Sequence, residues 1–586
     1  MWDYHNIQFE KINKDYQNYY GVDFEKQRAA LLKSTKVKSV VDGIIKRADA
    51  ALEIKYEVLP MSLYDEQYMP GGNRRHFEYP WFDRRNNCQY IAIALWLTRD
   101  EKYVWPLIDH MMMIMDEFTW CSPAHLHMGS GPQNLDDMIT HLDLFHCMTG
   151  RALTDVMLLV GEYMPSYVKA RLEYEIRRRM IKPMMEDKEF YFMTAKLNWA
   201  VVCSAGICTS LLYYGTKEEI DYIIPKLCQY ADNYLDGIQD DGCCLEGTLY
   251  WSYGFSHFVC LAKLLLEYSK GEIDYFKLDK VREIALYFAK VRMGRETQVC
   301  FSDSRCKLAF NIGLICFLKE MYPDDFQCPP MKNGAEYCPN NYTMTDILWL
   351  NPNYEEDEMQ YRTTFFKDSE WYVKQGKNYS FATKGGYNRE PHNHNDIGSF
   401  MFVVDDEIPL DDFGQGLYGR YTTEELYSQV CWSSRGHSVP IINGTYQEFT
   451  GYECDARRRS AKNMTADENS VSMDIENAYG DGLINKIHRE FKLGENSVTL
   501  TDTYEYSEKT ESVVERFVSH IKPEVCDGFV DMGRAKIIYD KDRFDVAINM
   551  ELYRNHFDTG DLEAYFVDFS PKNPKETEFK FEIEAK

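Results

Sequence analysis

The stretch "LWLNPNYEEDEMQYR", Leu348 to Arg362, marks a change of period in the chain. Before it, apolar residues recur at helical spacing. "LDKVREIALYFAKVR" puts Val281, Ile284, Ala285, Phe288 and Val291 on one stripe, and "KSVVDGIIKRADAALE" does so with Val40, Val41, Ile44 and Ile45. Further helices are predicted near 88–99, 101–117, 135–147, 154–182, 196–214, 217–235, 251–269 and 308–320. After it, the period is two. "RFDVAINME" sends Phe544, Val546, Ile548 and Met550 to one face, "EFKFEIE" does so with Phe579, Phe581 and Ile583, and "NSVTLTDTYEY" alternates from Val498. Helix pairs stacked in a ring or solenoid account for the first half, and an antiparallel sandwich for the second. The expected domains are therefore 1–355, helical, and 356–586, β-rich.

The bulk numbers limit the function classes. A chain of 586 residues with 45% hydrophobic content is long enough for two cores. A formal charge of −27 argues against a nucleic-acid partner, which would require a basic face. It leaves room for an anionic small substrate held by a local group of arginines. The 43 tyrosines suit sugar binding, because the ring stacks on C–H faces while its hydroxyl meets polar groups. The 17 cysteines include no C-x-x-C pair and read as reduced thiols. The first twenty residues have neither a basic nor an apolar signal region, and no run is apolar enough to span a membrane, so a cytoplasmic location is expected. Oligomeric state is not readable.

The early β half holds "EPHNHNDIGSFMFVVDDEIPLDDFG", Glu390 to Gly414. In a strand, His392 and His394 would face the same side and Asn393 the other. One or both imidazoles then suit a metal, with a carboxylate from Asp411 or Asp412, only one of which alternation turns inward. "SSRGHSVPIINGTYQ" adds His437 at the head of a second strand. Two imidazoles and a carboxylate suit Zn²⁺, with water or a fourth residue completing the shell. The plain alternative is a solvated loop with ordinary hydrogen bonds.

The run from Lys384 to Tyr418 followed by Ser433 to Gln447 resembles the heparinase II/III-like polysaccharide lyases, a group that includes heparin, heparan and alginate lyases. The matching elements are the histidine-rich segment ending in Asn395-Asp396-Ile397-Gly398-Ser399-Phe400, then Asp412-Phe413-Gly414, His437, and Gly444 to Gln447. "AKLNWAVVCSAG" resembles the family's Asn/His-Trp helix, "DGCCLEGTLYWSY" its Glu-Gly-x-x-Tyr segment, and "WCSPAHLHMG" would bring His125 and His127 near a cleft. The resemblance implies an incomplete (α/α) toroid followed by an antiparallel β-sandwich.

It also implies β-elimination at a uronic acid, leaving a 4,5-unsaturated uronate. Asn198 would neutralise the sugar carboxylate so that charge can spread onto its oxygens. A tyrosine would act as base and acid: Tyr250 is the first choice, with Tyr253 the alternative, since both follow Glu246-Gly247 closely. His392 would serve as base for the other epimer, and His394, Asp412 and His437 would hold a mainly structural Zn²⁺. Trp199, His125, Glu246, Tyr253, Arg84, Arg389 and Arg435 are candidates for binding an acidic oligosaccharide. Imported oligosaccharides would favour exolytic cutting. Two other classes compete. A glycoside hydrolase needs two carboxylates about 5–9 Å apart across the bond. A non-catalytic carbohydrate-binding protein would carry only a structural zinc.

Overall fold

A computed structural model describes residues 19–586, apart from 56, 70–71, 128–131, 133, 187, 309, 332–343, 418–422, 452 and 556–559. The chain divides into two compact units. The first comprises Met1–Ile238, Ser252–Arg282 and Phe310–Glu356; the second comprises Gln239–Trp251, Glu283–Ala309 and Asp357–Lys586. Two segments that precede the change of period, 239–251 and 283–309, thus group with the sheets.

The first unit is helical. Its centre is a pair of almost wholly buried helices, Leu144–Val160 and Asn198–Tyr214. They cross closely where Gly206 faces Cys147: a Cβ there would lie 2.3 Å from the Cys147 carbonyl oxygen. Arg75–Thr98, buried continuously from Cys88 to Leu97, packs on the first of the pair and the amphipathic Lys217–Gly237 on the second, while the amphipathic Lys38–Ala51 packs on Arg75–Thr98. Two predicted helices divide differently. The 135–147 region breaks between Leu135–Thr140 and Leu144–Val160, because Asp143 leaves the helical conformation to cap the second helix through His146 N. The 154–182 region breaks at Pro165, after which Ser166 starts a new helix. No helix among the described residues is long and apolar enough to cross a membrane.

The second unit contains three antiparallel sheets. The first runs in chain order through Arg362–Phe366, Trp371–Gln375, Ser380–Lys384, Phe400–Val404 and Glu407–Leu410. An eight-stranded sheet has Ser497–Glu505 between Lys486–Leu493 and Glu578–Ala585. A four-stranded sheet ends at the two-residue strand Ile441–Ile442, paired with Val513–Ser519. Inward residues of all three sheets share one core that includes Phe381, Phe400, Phe491, Phe517, Phe569 and Phe581. Phe579, Phe581 and Ile583 are buried as alternation predicts. Phe544–Tyr553 is the exception: Phe544 is buried, Val546 and Ile548 are half-buried, and Met550 is exposed. This strand lies at the edge of its sheet, where its far end has less to cover it.

Candidate active site and metal centre

The site in the second unit is built on the turn Phe301–Ser304. Gly247 adopts φ +90°, and a Cβ there would meet Ser304 Cβ at 2.8 Å and the Phe301 carbonyl oxygen at 2.9 Å. Only glycine combines that conformation with that approach. The helix Thr248–Tyr268 begins at once after it, and Thr248 Oγ1 meets Ser304 Oγ at 2.6 Å. Glu246 and Tyr250 are thereby set beside Asp303.

Asp303 is fully buried, and both its oxygens meet histidines. Oδ2 lies 2.6 Å from His392 Nδ1, and Oδ1 lies 3.4 Å from His394 Nε2. The Tyr250 and His392 rings stack at 4.1 Å and 26°. His392 Nε2 is 3.8 Å from Glu246 Oε2. Burial works against ionised Asp303, but hydrogen bonds from His392 and His394 outweigh it and hold its pKa at about 2. Burial also works against protonated His392, yet the hydrogen bond and charge of Asp303, with Glu246 adding, raise its pKa. Burial pushes the Glu246 carboxyl up, against the charge of His392.

Beside this pair, His394, Asp412 and His437 each offer a donor atom within 4.8 Å of the others, and all three are buried. The donor chemistry fits a divalent cation. His437 Nε2 lies 3.0 Å from the Cys431 carbonyl oxygen, so it donates there and leaves Nδ1 facing Asp412 Oδ2 at 3.0 Å. His394 uses Nε2 on Asp303, and its buried Nδ1 has no hydrogen-bond partner. Each imidazole thus spends one nitrogen on an oxygen acceptor and presents the other, as metal-ligating histidines do. Of the adjacent aspartates, Asp412 joins this group. Asp411 is buried too, contrary to simple alternation, because it meets His520 Nδ1 at 2.6 Å and Cys306 Sγ at 3.0 Å.

The family model described as heparinase II/III-like, C-terminal, matches residues 358–571. This region is a heparinase II/III-like C-terminal domain. The whole chain is similar in fold to solved polysaccharide lyases. A heparinase III gene product shares 12% identity at a TM-score of 0.62, over 100% of this chain and 93% of that one. The heparan sulfate lyase HepC from Pedobacter heparinus shares 12% at 0.58, over 96% and 90%. The chondroitin AC lyase of Streptomyces coelicolor A3, solved with chondroitin sulphate, shares 10% at 0.55, over 96% and 82%. No curated protein sequence matches the chain. The fold is an N-terminal (α/α) toroid followed by a C-terminal antiparallel β-sandwich.

Within the heparinase II/III-like domain, the histidine segment is not a strand. His392 sits in a turn at φ +54°, and the next strand starts at Phe400. His392 and His394 converge on Asp303 because the loop is clamped, not because strand alternation aligns them. Gln447 accepts from Ile397 N at 3.0 Å and donates to Ile397 O at 2.8 Å. Lys384 meets Asp396 at 2.9 Å and Glu390 at 3.4 Å, all buried. Nor does His437 head a strand: it follows the short turn Ser434–Gly436, four residues before Ile441. Arg489 holds both segments, donating to the carbonyls of Gly398 and Ser438 at 2.8 Å each.

The remaining candidates are placed as follows. In the helical unit, His125 donates to Asp143 at 2.7 Å, stacks on Phe145, and packs edge-on to Trp199 at 4.7 Å. Trp199 is half-buried and packs on exposed Tyr191 at 5.0 Å. Asn198 is buried at the start of its helix, against Gly254. Tyr253 turns its hydroxyl to Met148 Sδ at 3.3 Å. His127 packs edge-on to Tyr68. The three arginines each have partners within the protein. Arg84 is buried on Glu117, Arg389 donates to the carbonyls of Gly451 and Cys454, and Arg435 forms a two-pronged pair with Glu551. Their guanidinium groups already have anionic or carbonyl partners, so none is a preformed clamp for a sugar acid. Sequence reasoning missed Asp303 and Arg489. "FSDSR" carries no motif, and only folding brings Asp303 to the histidines.

Proposed function

We propose that the protein is a polysaccharide lyase that cleaves uronic-acid-containing oligosaccharides, glycosaminoglycan-like or alginate-like, by β-elimination. The observation that carries this reading is the Tyr250 phenol stacked on the His392 imidazole, whose other nitrogen is held by Asp303. The proton at C5 of a uronate is barely acidic beside an ionised carboxylate. Asn198 donates to that carboxylate, and charge then spreads onto its oxygens. Tyr250 takes the C5 proton and returns one to the departing O4 when both lie on the same face of the ring. An imidazolium of His392 beside it favours the phenolate. For the other epimer, neutral His392 takes the proton through Nε2. Trp199, His125 and Tyr191 give the sugar an aromatic wall.

When bound at His394, Asp412 and His437, Zn²⁺ supplies a cross-link between the loops that carry them. Acting on short imported oligosaccharides in the cytoplasm, the enzyme would cut from chain ends. A panel of heparan, chondroitin, hyaluronan and alginate oligosaccharides tests the reading through the ultraviolet absorbance of the unsaturated product and its mass. Shorter sugars without the new chromophore would mean hydrolysis and would end it. Rapid loss of viscosity on long polymer at low conversion would end the exolytic part alone.

A further inference from the structure

Asp303 stands between two sets of groups that the reaction scheme treats separately. One oxygen faces the nitrogen of His392 that does not face Glu246. The other faces Nε2 of His394, whose buried Nδ1 has no hydrogen-bond partner. The carboxylate is fully buried, and the turn that carries it is fixed from two sides. Gly247 packs on Phe301 and Ser304, and Gln415 N donates to the Ser304 carbonyl oxygen at 3.0 Å.

We infer that Asp303 is a shared positioning carboxylate. Through Oδ2 it keeps the proton of His392 on Nδ1 and so leaves Nε2 as the working nitrogen. Through Oδ1 it orients His394 and raises its basicity toward a divalent cation. The inference rests on the lyase reading for the importance of His392, but its geometry can be tested without turnover. An ionised carboxylate has no proton to donate and can accept from both rings at once. An amide at the same position cannot: its oxygen accepts from one ring while its NH₂ meets the N–H of the other. Asp303→Asn therefore removes one of the two restraints with almost no change of volume.

The test compares wild type, Asp303→Asn, His392→Ala and the double variant. Zn²⁺ affinity is measured by chelator competition. The imidazole nitrogens are followed by NMR on protein labelled with ¹⁵N-histidine. In the wild type the His392 signals, assigned from their loss in His392→Ala, should show the proton on Nδ1. Asp303→Asn should weaken Zn²⁺ binding about 10- to 100-fold, the range for loss of a hydrogen-bond partner to a metal-ligating histidine. It should also change the His392 tautomer. On a cleaved substrate, kcat should fall about 100-fold with KM within about twofold, as for loss of acid–base assistance. The affinity loss should persist in the His392→Ala background, whereas the kcat loss should not add there.

Unchanged Zn²⁺ affinity and unchanged His392 signals in Asp303→Asn would overturn the inference, whatever happens to turnover. Should that variant fail to fold, a wild-type His392 found protonated on Nε2 alone overturns it without any substitution at 303. If no substrate in the panel is eliminated, the lyase reading fails, while the affinity and tautomer measurements still decide this one.

Discussion

The two units handle buried charge in different ways. In the helical unit, charged side chains pair along or between helices. Glu117 receives Arg84, Arg85 and the Trp81 indole, and Glu175 receives Arg178 and Arg179 one turn on. Their guanidinium groups also reach backbone carbonyls singly or in twos, Arg84 that of Glu57 and Arg179 those of Glu117 and Phe118. In the sheet unit, buried charge holds loops. Arg489 reaches Asp502, Glu515 and two loop carbonyls at once, and Lys384 with Glu390 and Asp396 sits under the histidine loop. Irregular backbone inside a core needs such partners. A site made of loops is therefore only as rigid as the charged network beneath it.

The largest effect should come from the site itself. Tyr250→Phe removes one oxygen from the sheet-unit pair and leaves the stacked ring in place. Turnover should fall by about 10³-fold or more, by loss of acid–base chemistry, with the thermal transition unchanged. Retention of a tenth of the activity would move the proton transfer to another group and dissolve the functional contrast between the units.

Next come Arg489→Met and Arg84→Met, one from each network. Removing Arg489 leaves Asp502 and Glu515 buried and facing each other, with Tyr504 donating to Glu515. Breaking such a buried pair costs about 3–5 kcal/mol. Because Gly398 and Ser438 lose their donor as well, Zn²⁺ binding should weaken although no ligand is altered. Removing Arg84 takes a donor from the Glu57 carbonyl but leaves Glu117 with Arg85 and Trp81, so the cost should be smaller, on the order of 2 kcal/mol, because no carboxylate is left unpaired. Denaturant unfolding with the same slope for both variants reads the difference. Equal losses would mean that leaving two buried carboxylates unpaired is not what distinguishes the sheet unit.

The same contrast explains what could be read from the sequence. Helical stripes such as Val281, Ile284, Ala285, Phe288 and Val291 are wholly buried, because a periodic pattern is a local property. The buried group His394, Asp412 and His437, which could hold a metal ion, was legible as residue types in order. The reason first offered for the convergence of His392 and His394 was wrong. Strand alternation assumes a strand, whereas the segment is a turn held by Gln447 and Lys384 from elsewhere in the chain. Asp303 was invisible for the same reason: its role depends on contacts some 90 residues away in sequence. The partners of the arginines were not legible either, because a basic residue near a motif looks the same whether or not it faces Glu551.

In the helical unit the candidate binding residues form an aromatic wall rather than a charged network. Trp199→Ala should raise KM about tenfold, on the order of 1.4 kcal/mol, with kcat changed little. A fall in kcat of the size expected for Tyr250→Phe would assign Trp199 to the chemistry instead, and the two units would then share the reaction more evenly than their construction suggests.

The smallest contrast lies between two carboxylate pairs, one with a buried acid and one exposed. Asp474 and His488 face each other across neighbouring strands at 2.7 Å, and Asn463 also donates to Asp474 at 2.7 Å. Burial alone would raise the Asp474 pKa, but these hydrogen bonds outweigh it and the pKa falls. A lowered folded-state pKa means that ionised Asp474 stabilises the fold above the ordinary carboxylate range. That contribution disappears as pH falls through the folded pKa. Asp474→Asn should therefore cost under about 1 kcal/mol near neutral pH, and the gap from wild type should close as pH falls below the ordinary carboxylate range. In the helical unit, Lys38 and Asp42 pair at 2.7 Å one turn apart, but both are more than half exposed. With solvent screening both charges and the lysine placed before the acid, Asp42→Asn should leave stability unchanged at either pH. A matching pH-dependent loss in the two variants would show that sheet register adds nothing to such a pair beyond what helix spacing already gives.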